Sequence, residues 1–188
     1  MPENLHKLFV ISSPSGGGKT SLINKLFEDS RSANFEKSIS DTSRQKREGD
    51  LEGKDYYFLT EKDFKDKIKK EEYVEYATVF GNFYGTSKEE IKTKYNNSNL
   101  ILELDWQGAY AVKELFDDAK LIFLVPPSLD DLKQRLIKRN LDSSKSIENR
   151  LSEAKKEISK SEMYDYLVLN DDFDKAFEDL SQILFEGI

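Results

Sequence analysis

The sequence predicts an α/β fold in which a parallel β-sheet is flanked by helices. Short apolar runs typical of buried strands occur at residues 7–12, 100–105, 120–125 and 166–169. Between them, apolar residues recur at helical spacing at 106–116, 129–139 and 147–163. Because parallel strands need long crossover connections, which are usually helices, this alternation favours a parallel sheet covered on both faces.

Composition indicates one charged globular domain. The 188 residues are 37% hydrophobic and 35% charged, which suits a single well-cored domain better than two. The formal net charge of −7 argues against a nucleic-acid-binding protein, because binding to a phosphate backbone needs a basic face. A local basic pocket for a small phosphate ligand is still compatible with this charge.

Residue types exclude several further classes. The chain has no cysteine, which rules out disulfides, thiolate catalysis and cysteine-based metal sites. Its only histidine, His6, precedes the first apolar run, so a histidine-centred mechanism is disfavoured. The polar N-terminus and the short apolar runs predict neither a signal peptide nor a membrane span. We therefore expect a cytoplasmic protein that does not bind membranes.

A glycine-rich stretch, SPSGGGKT, joins the first strand to the first helix. It matches the Walker pattern G-x-x-x-x-G-K-[ST] at every position except the first, where serine replaces glycine. Glycines let successive N–H groups turn toward phosphate oxygens, and the helix start adds its positive end. The lysine can reach the β- and γ-phosphates, and the threonine hydroxyl can ligate Mg²⁺. The predicted site for Mg²⁺ and a nucleoside triphosphate comprises Ser13, Pro14, Ser15, Gly16, Gly17, Gly18, Lys19 and Thr20.

An acidic partner for the metal is expected at the end of a neighbouring buried strand. The run LILELD supplies Asp105, with Glu103 two residues earlier on the same side of the strand. We predict Thr20 and Asp105 as the metal-binding pair. The alternative is that Asp105 only caps the helix that follows.

The segment 35–95 departs from the alternation of long strands and helices. Its apolar runs are shorter and rich in aromatic residues, which predicts a small mixed α/β lobe inserted into the parallel core. Its charged run 61–72 has Phe64 and Ile68 four apart, as in an ordinary surface helix. Arg44 and Arg47 lie in a basic loop that suits an anionic phosphate, although such loops are often merely solvated.

Together these stretches resemble the guanylate kinase family along nearly the whole chain. The matching motifs are SPSGGGKT, SISDTSRQKREGDLEGKDYYF, VEYATVFGNFYGT, LELDWQG, the PPS turn at 126–128 and VLNDD. The resemblance implies a P-loop NTPase core (1–34, 96–126 and 164–188), a GMP-binding lobe (35–95) and a helical lid (127–163). It also implies transfer of the γ-phosphate of ATP, with Mg²⁺, to GMP.

The family's GMP-binding residues can be placed on this sequence. The resemblance implies that Arg44, Arg47, Tyr56 and Tyr84 hold the GMP phosphate, that Ser40, Glu75 and Thr86 read the guanine, and that Gly85 and Glu103 also line this site. A carboxylate at position 75 would accept guanine's ring N–H and exocyclic amine together, whereas adenine offers no such donor pair. Spacing alone leaves an outward-facing Glu75 equally open. Glu103 departs from the aspartate usual in the family.

The family's ATP site and lid add further residues. The resemblance implies that the cations Lys19, Arg44, Arg135, Arg139 and Arg150 take part in catalysis, and that Asn170 and Asp171 border the adenine of ATP. Arg135 and Arg139 lie four apart on one helix face, so they are either phosphate contacts of a mobile lid or solvated surface residues.

Three other functions are alternatives, and the third is the weakest. A nucleoside monophosphate kinase acting on AMP, UMP or TMP would share the fold, but the set of Ser40, Glu75 and Thr86 argues against it. A catalytically inactive guanylate-kinase-like binding module predicts a degraded phosphate loop, whereas Lys19 and Thr20 are intact here. A P-loop GTPase is a weaker candidate, since its guanine-reading loop has no counterpart. The expected partners are the nucleotides ATP and GMP, and monomer and homo-oligomer both remain open.

Overall fold

The computed structural model describes residues 6–79, 81–138 and 144–187, with the side chains at 144 and 145 left aside. Its strands, numbered along the chain, are β1 Leu8–Ser12, β2 Phe35–Lys37, β3 Asp41–Thr42, β4 Tyr57–Phe58, β5 Tyr73–Val79, β6 Asn82–Ser87, β7 Asn99–Glu103, β8 Lys120–Val125 and β9 Tyr166–Leu169. The α-helices are α1 Lys19–Glu28, α2 Glu61–Lys69, α3 Lys88–Tyr95, α4 Trp106–Leu115, α5 Leu129–Lys138, α6 Ser144–Ile158 and α7 Phe173–Ser181. Short 3₁₀ turns lie at Ser30–Asn34 and Ser161–Met163, and a π-helical turn, Gln182–Glu186, follows α7.

A five-stranded parallel sheet forms the centre, in the order β2-β7-β1-β8-β9. The four strands predicted from apolar runs are confirmed, and helices cover both faces. Successive residues of β1 point to opposite faces: Leu8 and Val10 pack toward α3 and α4, and Phe9 and Ile11 pack toward α1 and α7. Burial on both faces explains why β1, β7 and β8 are continuously apolar rather than alternating. The fourth run, predicted as a buried strand, is the edge strand β9, where Val168 is buried and Leu167 and Leu169 are exposed.

A second sheet, in the order β4-β3-β6-β5, forms the inserted lobe. Here β3 and β4 are parallel, whereas β6 is antiparallel to both β3 and β5. Phe64 of α2 covers this sheet, with ring centroids 4.5 Å from Tyr73 and 5.4 Å from Phe83. The charged run at 61–72 is therefore a surface helix with one buried face, as its spacing predicts.

The predicted boundaries 35–95 are wider than this second sheet. Phe35–Lys37 pair with β7 as an edge strand of the central sheet, and Ile91 and Tyr95 of α3 are buried in the central core. The sequence missed this edge strand because three residues carry too little periodicity to identify a sheet.

Helices α5 and α6 lie in the region expected to form the lid. They share a small apolar cluster of Leu132, Leu136, Ile147 and Ala154. The predicted catalytic residue Arg139 lies outside the described residues. Within the described part of the chain, none of the helices combines the length and the apolarity that crossing a membrane requires.

Candidate functional site

The phosphate loop runs from the end of β1 to the start of α1 and forms a cradle lined by residues 13–20. Gly16 and Gly18 both have φ of +89°, a backbone conformation that side-chain-bearing residues rarely adopt. The Gly17 N–H donates to the Pro14 carbonyl at 2.8 Å. The buried Asn170 side chain, which follows β9, donates from Nδ2 to the Gly17 carbonyl at 2.6 Å and so ties the loop to the segment after the edge strand β9.

Replacing Gly18 with alanine should damage this loop more than the φ strain alone explains. A Cβ at position 18 would lie 2.4 Å from Asn170 Nδ2, whereas one at Gly49, with φ of +91°, would meet nothing within 4 Å. We expect Gly49→Ala to lower the free energy of unfolding by about 1 kcal/mol from backbone strain. Gly18→Ala should lose about 2–3 kcal/mol, because it also displaces a buried hydrogen bond. Chemical denaturation of both variants measures this, and equal losses would contradict the proposed tie between Asn170 and the loop.

The lysine of the loop lies among carboxylates behind the cradle. Lys19 Nζ donates to the Leu104 carbonyl at 3.1 Å. Burial lowers the pKa of Lys19, and the nearby charges of Glu103, Glu157 and Asp105 oppose that shift. These acids favour the charged form of the ammonium, which is the form that would bind a polyphosphate.

Glu103 bridges two elements at the carboxyl edge of the sheet. Its Oε1 accepts from the Thr20 hydroxyl at 2.6 Å, and its Oε2 lies 2.8 Å from Lys37 Nζ. Although burial favours the neutral acid, Lys19 and Lys37 together lower the pKa of Glu103. Glu103 is thus a charged carboxylate held beside the threonine of the phosphate loop.

Asp105, which we predicted as a metal ligand, is the N-cap residue of α4. Its Oδ1 accepts from the Gly108 N–H at 2.9 Å, so it caps α4 as the alternative interpretation proposed. The carboxylate that reaches Thr20 is Glu103. The reason is geometric: Asp105 lies beyond the end of β7, where the chain has already turned into the helix.

Across the cleft, the inserted lobe brings Ser40, Glu75 and Thr86 together. Strand pairing sets Glu75 of β5 opposite Thr86 of β6, whose hydroxyl donates to Glu75 Oε1 at 2.6 Å. Ser40 Oγ lies 3.4 Å from the same hydroxyl. Burial raises the pKa of Glu75 to about 7, and the Thr86 hydrogen bond only partly offsets this. Glu75 is therefore partly buried and hydrogen-bonded within the lobe, which argues against the outward-facing alternative.

Arg44, Tyr56 and Tyr84 form a second cluster in the lobe. The Arg44 guanidinium lies 5.4 Å from the Tyr56 ring centroid, and the Tyr56 and Tyr84 rings are 5.7 Å apart. Arg44 Nη1 pairs with Asp50 at 2.9 Å, and both side chains are largely buried. The Arg47 side chain is exposed, and its backbone N–H donates to Asp50 at 2.7 Å.

Close packing explains the glycine next to Thr86. A Cβ on Gly85, which is buried in β6, would lie 3.0 Å from Tyr73, Phe64 and the Glu75 carbonyl. Gly85 therefore allows the aromatic core of the lobe to pack directly behind Glu75.

Arg135 of α5 and Arg150 of α6 both contact the phosphate loop or the residue that binds it. Arg135 Nη2 donates to the Asn170 carbonyl at 2.9 Å, and Arg150 Nη1 donates to Ser15 Oγ at 2.5 Å. Neither is a merely solvated surface residue. A cavity next to the cradle is lined by Gly16, Gly18, Ser21, Arg135, Lys138, Asn170, Phe173 and the exposed Asp171.

Two charged residues near the site were missed by the sequence analysis. Lys37 belongs to the edge strand that had not been recognised. Glu157 is one of three acids in the charged helix α6, yet its Oε2 is buried and, among the described residues, has no hydrogen-bond partner. Burial raises the pKa of Glu157 to about 7, against the attraction of Lys19. Neither residue carries a local sequence signal, because each depends on a contact with a distant element.

The cleft itself joins these groups. One cavity is lined by Lys19 and Thr20 of the phosphate loop, by Lys37, Ser38 and Glu103 at the sheet edge, and by Ser40, Asp55 and Tyr56 of the lobe. A phosphate loop and a second polar pocket facing one cleft define the class of P-loop nucleotide kinases.

Comparison with known proteins identifies the family within this class. A family model described as guanylate kinase matches residues 5–187. A guanylate kinase of Wolbachia sp. subsp. Brugia malayi (strain TRS) is 46% identical over 184 residues, covering 97% of this chain and 93% of that protein. One of Hahella chejuensis (strain KCTC 2396) is 47% identical over 178 residues, covering 94% and 85%. The crystal structure of guanylate kinase from Anaplasma phagocytophilum aligns with a TM-score of 0.76 at 34% identity, covering 98% and 87%. The chain belongs to the guanylate kinase family.

Proposed function

We propose that the chain is an active cytoplasmic guanylate kinase that transfers the γ-phosphate of ATP to GMP, giving ADP and GDP. The observation that carries this proposal is the single cleft in which an intact phosphate loop faces Ser40 and Tyr56 of the lobe. A binding module without activity would have no need for Lys19 and Thr20 at the wall of that cleft.

Glu75 is the proposed guanine reader. Its carboxylate and the hydroxyls of Thr86 and Ser40 form one polar cluster in the lobe. An ionised carboxylate accepts the two adjacent donors of guanine, whereas adenine would leave it without partners. Each charge-assisted hydrogen bond of this kind contributes about 1.5–3 kcal/mol, which is enough to select the base.

Arg44, Tyr56 and Tyr84 are the proposed clamp for the GMP phosphate. The guanidinium is already oriented by Asp50 and lies over the Tyr56 ring, so little conformational freedom is lost on binding. The exposed Arg47, three residues after Arg44, would turn toward the phosphate when GMP is present. Gly85 and Glu103 complete the proposed GMP side.

The residues beside the phosphate loop fit a magnesium ion. Thr20 and Glu103 place a hydroxyl and a charged carboxylate together, and Mg²⁺ prefers oxygen ligands. Among the described residues, groups of three or more His, Cys, Asp or Glu that could hold a metal are absent, so the remaining ligands would be phosphate oxygens and water. When bound, Mg²⁺ would neutralise charge on the transferring phosphate. We propose Thr20 and Glu103 as the protein side of this site, and we keep Asp105, whose Oδ1 caps α4, as the further ligand that the sequence predicts.

The protein's own contribution to the reaction is orientation and charge. Arg135 and Arg150 add two cations beside the phosphate loop, which already contains Lys19. The Asn170 side chain stabilises the conformation of the loop by its hydrogen bond to Gly17. The part of the lid outside the described residues includes Arg139, which we propose as a further phosphate contact. Asn170 and Asp171 border the proposed adenine site. The lobe and the lid would close over both nucleotides and exclude water, so that the GMP phosphate rather than water attacks.

The test is ADP formation from MgATP with GMP, AMP, UMP and TMP in parallel. We expect rapid turnover with GMP alone, in the range of about 1–100 per second for kinases. Comparable turnover with another monophosphate would overturn the base assignment. Binding of GMP without turnover would favour the inactive binding module.

GMP binding should weaken below neutral pH because Glu75 must be ionised to accept both guanine donors. With a pKa of about 7 in the free protein, Glu75 is protonated at lower pH. The GMP association constant should therefore fall toward tenfold per pH unit below 7 and level off above about 8. Calorimetry in buffers of different ionisation enthalpy should show proton release on binding near pH 7. Glu75→Gln should remove this release and leave only the titration of the GMP phosphate, and an unchanged pH profile in that variant would contradict the assignment.

A further inference from the structure

Lys37 lies at the carboxyl edge of the central sheet, beside Glu103 and the phosphate loop. It is the last residue of β2, and β2, β7 and β1 are neighbours whose carboxyl ends carry Lys37, Glu103 and the phosphate loop. Its backbone is fixed, because Lys94 Nζ donates to the Lys37 carbonyl at 2.8 Å and the next N–H, of Ser38, donates to the Ile101 carbonyl at 2.9 Å. The side chain therefore leaves a rigid strand end.

The Lys37 ammonium is held at the cleft by Glu103. Its Nζ lies 2.8 Å from Glu103 Oε2, while Oε1 of the same carboxylate accepts from Thr20. The longer glutamate, where the family usually has aspartate, can use one oxygen for each partner. An ammonium has three donors, so pairing with Glu103 leaves Lys37 with further N–H groups for another acceptor.

The surroundings indicate which acceptor this would be. The Lys37 side chain is 35% exposed and lines the cavity that also contains Lys19, Thr20 and Tyr56. Lys19 belongs to the triphosphate side and Tyr56 to the proposed GMP-phosphate side. A cation on this wall faces the volume into which both phosphates must come for transfer.

We propose that Lys37 is a further catalytic residue, whose ammonium contacts the phosphoryl group as it passes from ATP to GMP. This rests on the proposed function. The bond from the γ-phosphorus to the ADP oxygen breaks as the bond to the GMP phosphate oxygen forms. Lys37 supplies only charge and hydrogen bonds to the equatorial oxygens and exchanges no proton. Glu103 acts through it as a positioning residue.

Lys37→Met tests this, because methionine keeps the bulk of the side chain and removes the charge. The binding probe is a bisubstrate compound in which adenosine and guanosine are joined through a chain of phosphates, so that phosphate fills the gap between the sites. We expect Lys37→Met to bind this probe about 10–100-fold more weakly and to lower kcat by a similar factor. Dissociation constants for ADP alone and GMP alone, and the melting temperature, should change little. Lys37→Arg should retain most of the probe affinity, and Lys92→Met, an exposed lysine of α3, is the control.

The outcomes separate the two proposals. Equal probe binding and equal kcat in Lys37→Met and wild type would overturn the assignment of Lys37. Weaker binding of GMP alone, without further loss for the bisubstrate probe, would also overturn it by showing that Lys37 only supports the lobe. If Lys37→Met fails to fold, Lys37→Gln replaces it. A wild-type protein that binds nucleotides without phosphorylating GMP would refute the proposed function, whereas Lys37 would still be tested by probe binding.

Discussion

Replacing Lys19 with methionine should lower kcat by a factor on the order of 10³, because it removes the one cation of the phosphate loop itself. Lys19 lies among Glu103, Glu157 and Asp105 with its ammonium on the Leu104 carbonyl. Without it, the same carboxylates would repel the incoming phosphates. Methionine has similar length and suits a buried position, so the fold should persist.

The control for this variant lies on the same helix. Lys25→Met removes a lysine of α1 that pairs on the surface with Glu28 at 3.4 Å. Exposed pairs of this kind contribute little to stability, so activity and stability should both stay near those of the wild type. Steady-state kinetics with MgATP and GMP, together with circular dichroism, compare the two variants. Substantial turnover in Lys19→Met would contradict the role assigned to the phosphate loop.

Glu75→Gln should lower kcat/KM for GMP by about 10²–10⁴-fold, the loss expected when two charge-assisted hydrogen bonds are weakened. The amide keeps one acceptor oxygen but turns a donor toward one of guanine's donors. The ratio of kcat/KM for GMP to kcat/KM for AMP should therefore fall, because GMP binds less well and the amide can donate to adenine. Thr86 would still donate to the amide oxygen, so the local structure should be maintained.

Competition between GMP and AMP measures the loss of base preference in Glu75→Gln directly. Wild type, Glu75→Gln and Glu89→Gln, an exposed acid of α3, are compared with GMP and AMP at pH 8, where Glu75 is ionised. Glu89→Gln should behave as wild type. If Glu75→Gln kept the wild-type preference for GMP, guanine would have to be read elsewhere.

Much of the fold follows from local sequence. The runs 7–12, 100–105 and 120–125 are largely apolar because both faces of the sheet are covered there, and that pattern is readable along the chain. The phosphate loop is equally local, since its glycines, Lys19 and the start of α1 are consecutive. Its position at the carboxyl end of β1 follows directly.

The site depends on contacts that no local pattern contains. An alternating strand does not reveal which of its faces is covered, so only the packing of α4 against β5 shows that Glu75 is partly buried. The edge strand β2 is too short to predict, and for that reason the sequence does not indicate that Lys37 lies at the site. Glu157 looks like any other acid of a charged helix until α6 is placed near Lys19.

The roles of Glu103 and Asp105 show most clearly what local sequence determines and what tertiary contacts determine. The sequence by itself determined that two acids follow a buried strand beside a phosphate loop. The tertiary structure decided that Asp105 caps α4 while Glu103 joins Thr20 to Lys37. The physical reason is that periodicity is a property of consecutive residues, whereas the partner of a charge depends on which distant segments the sheet brings to the same edge.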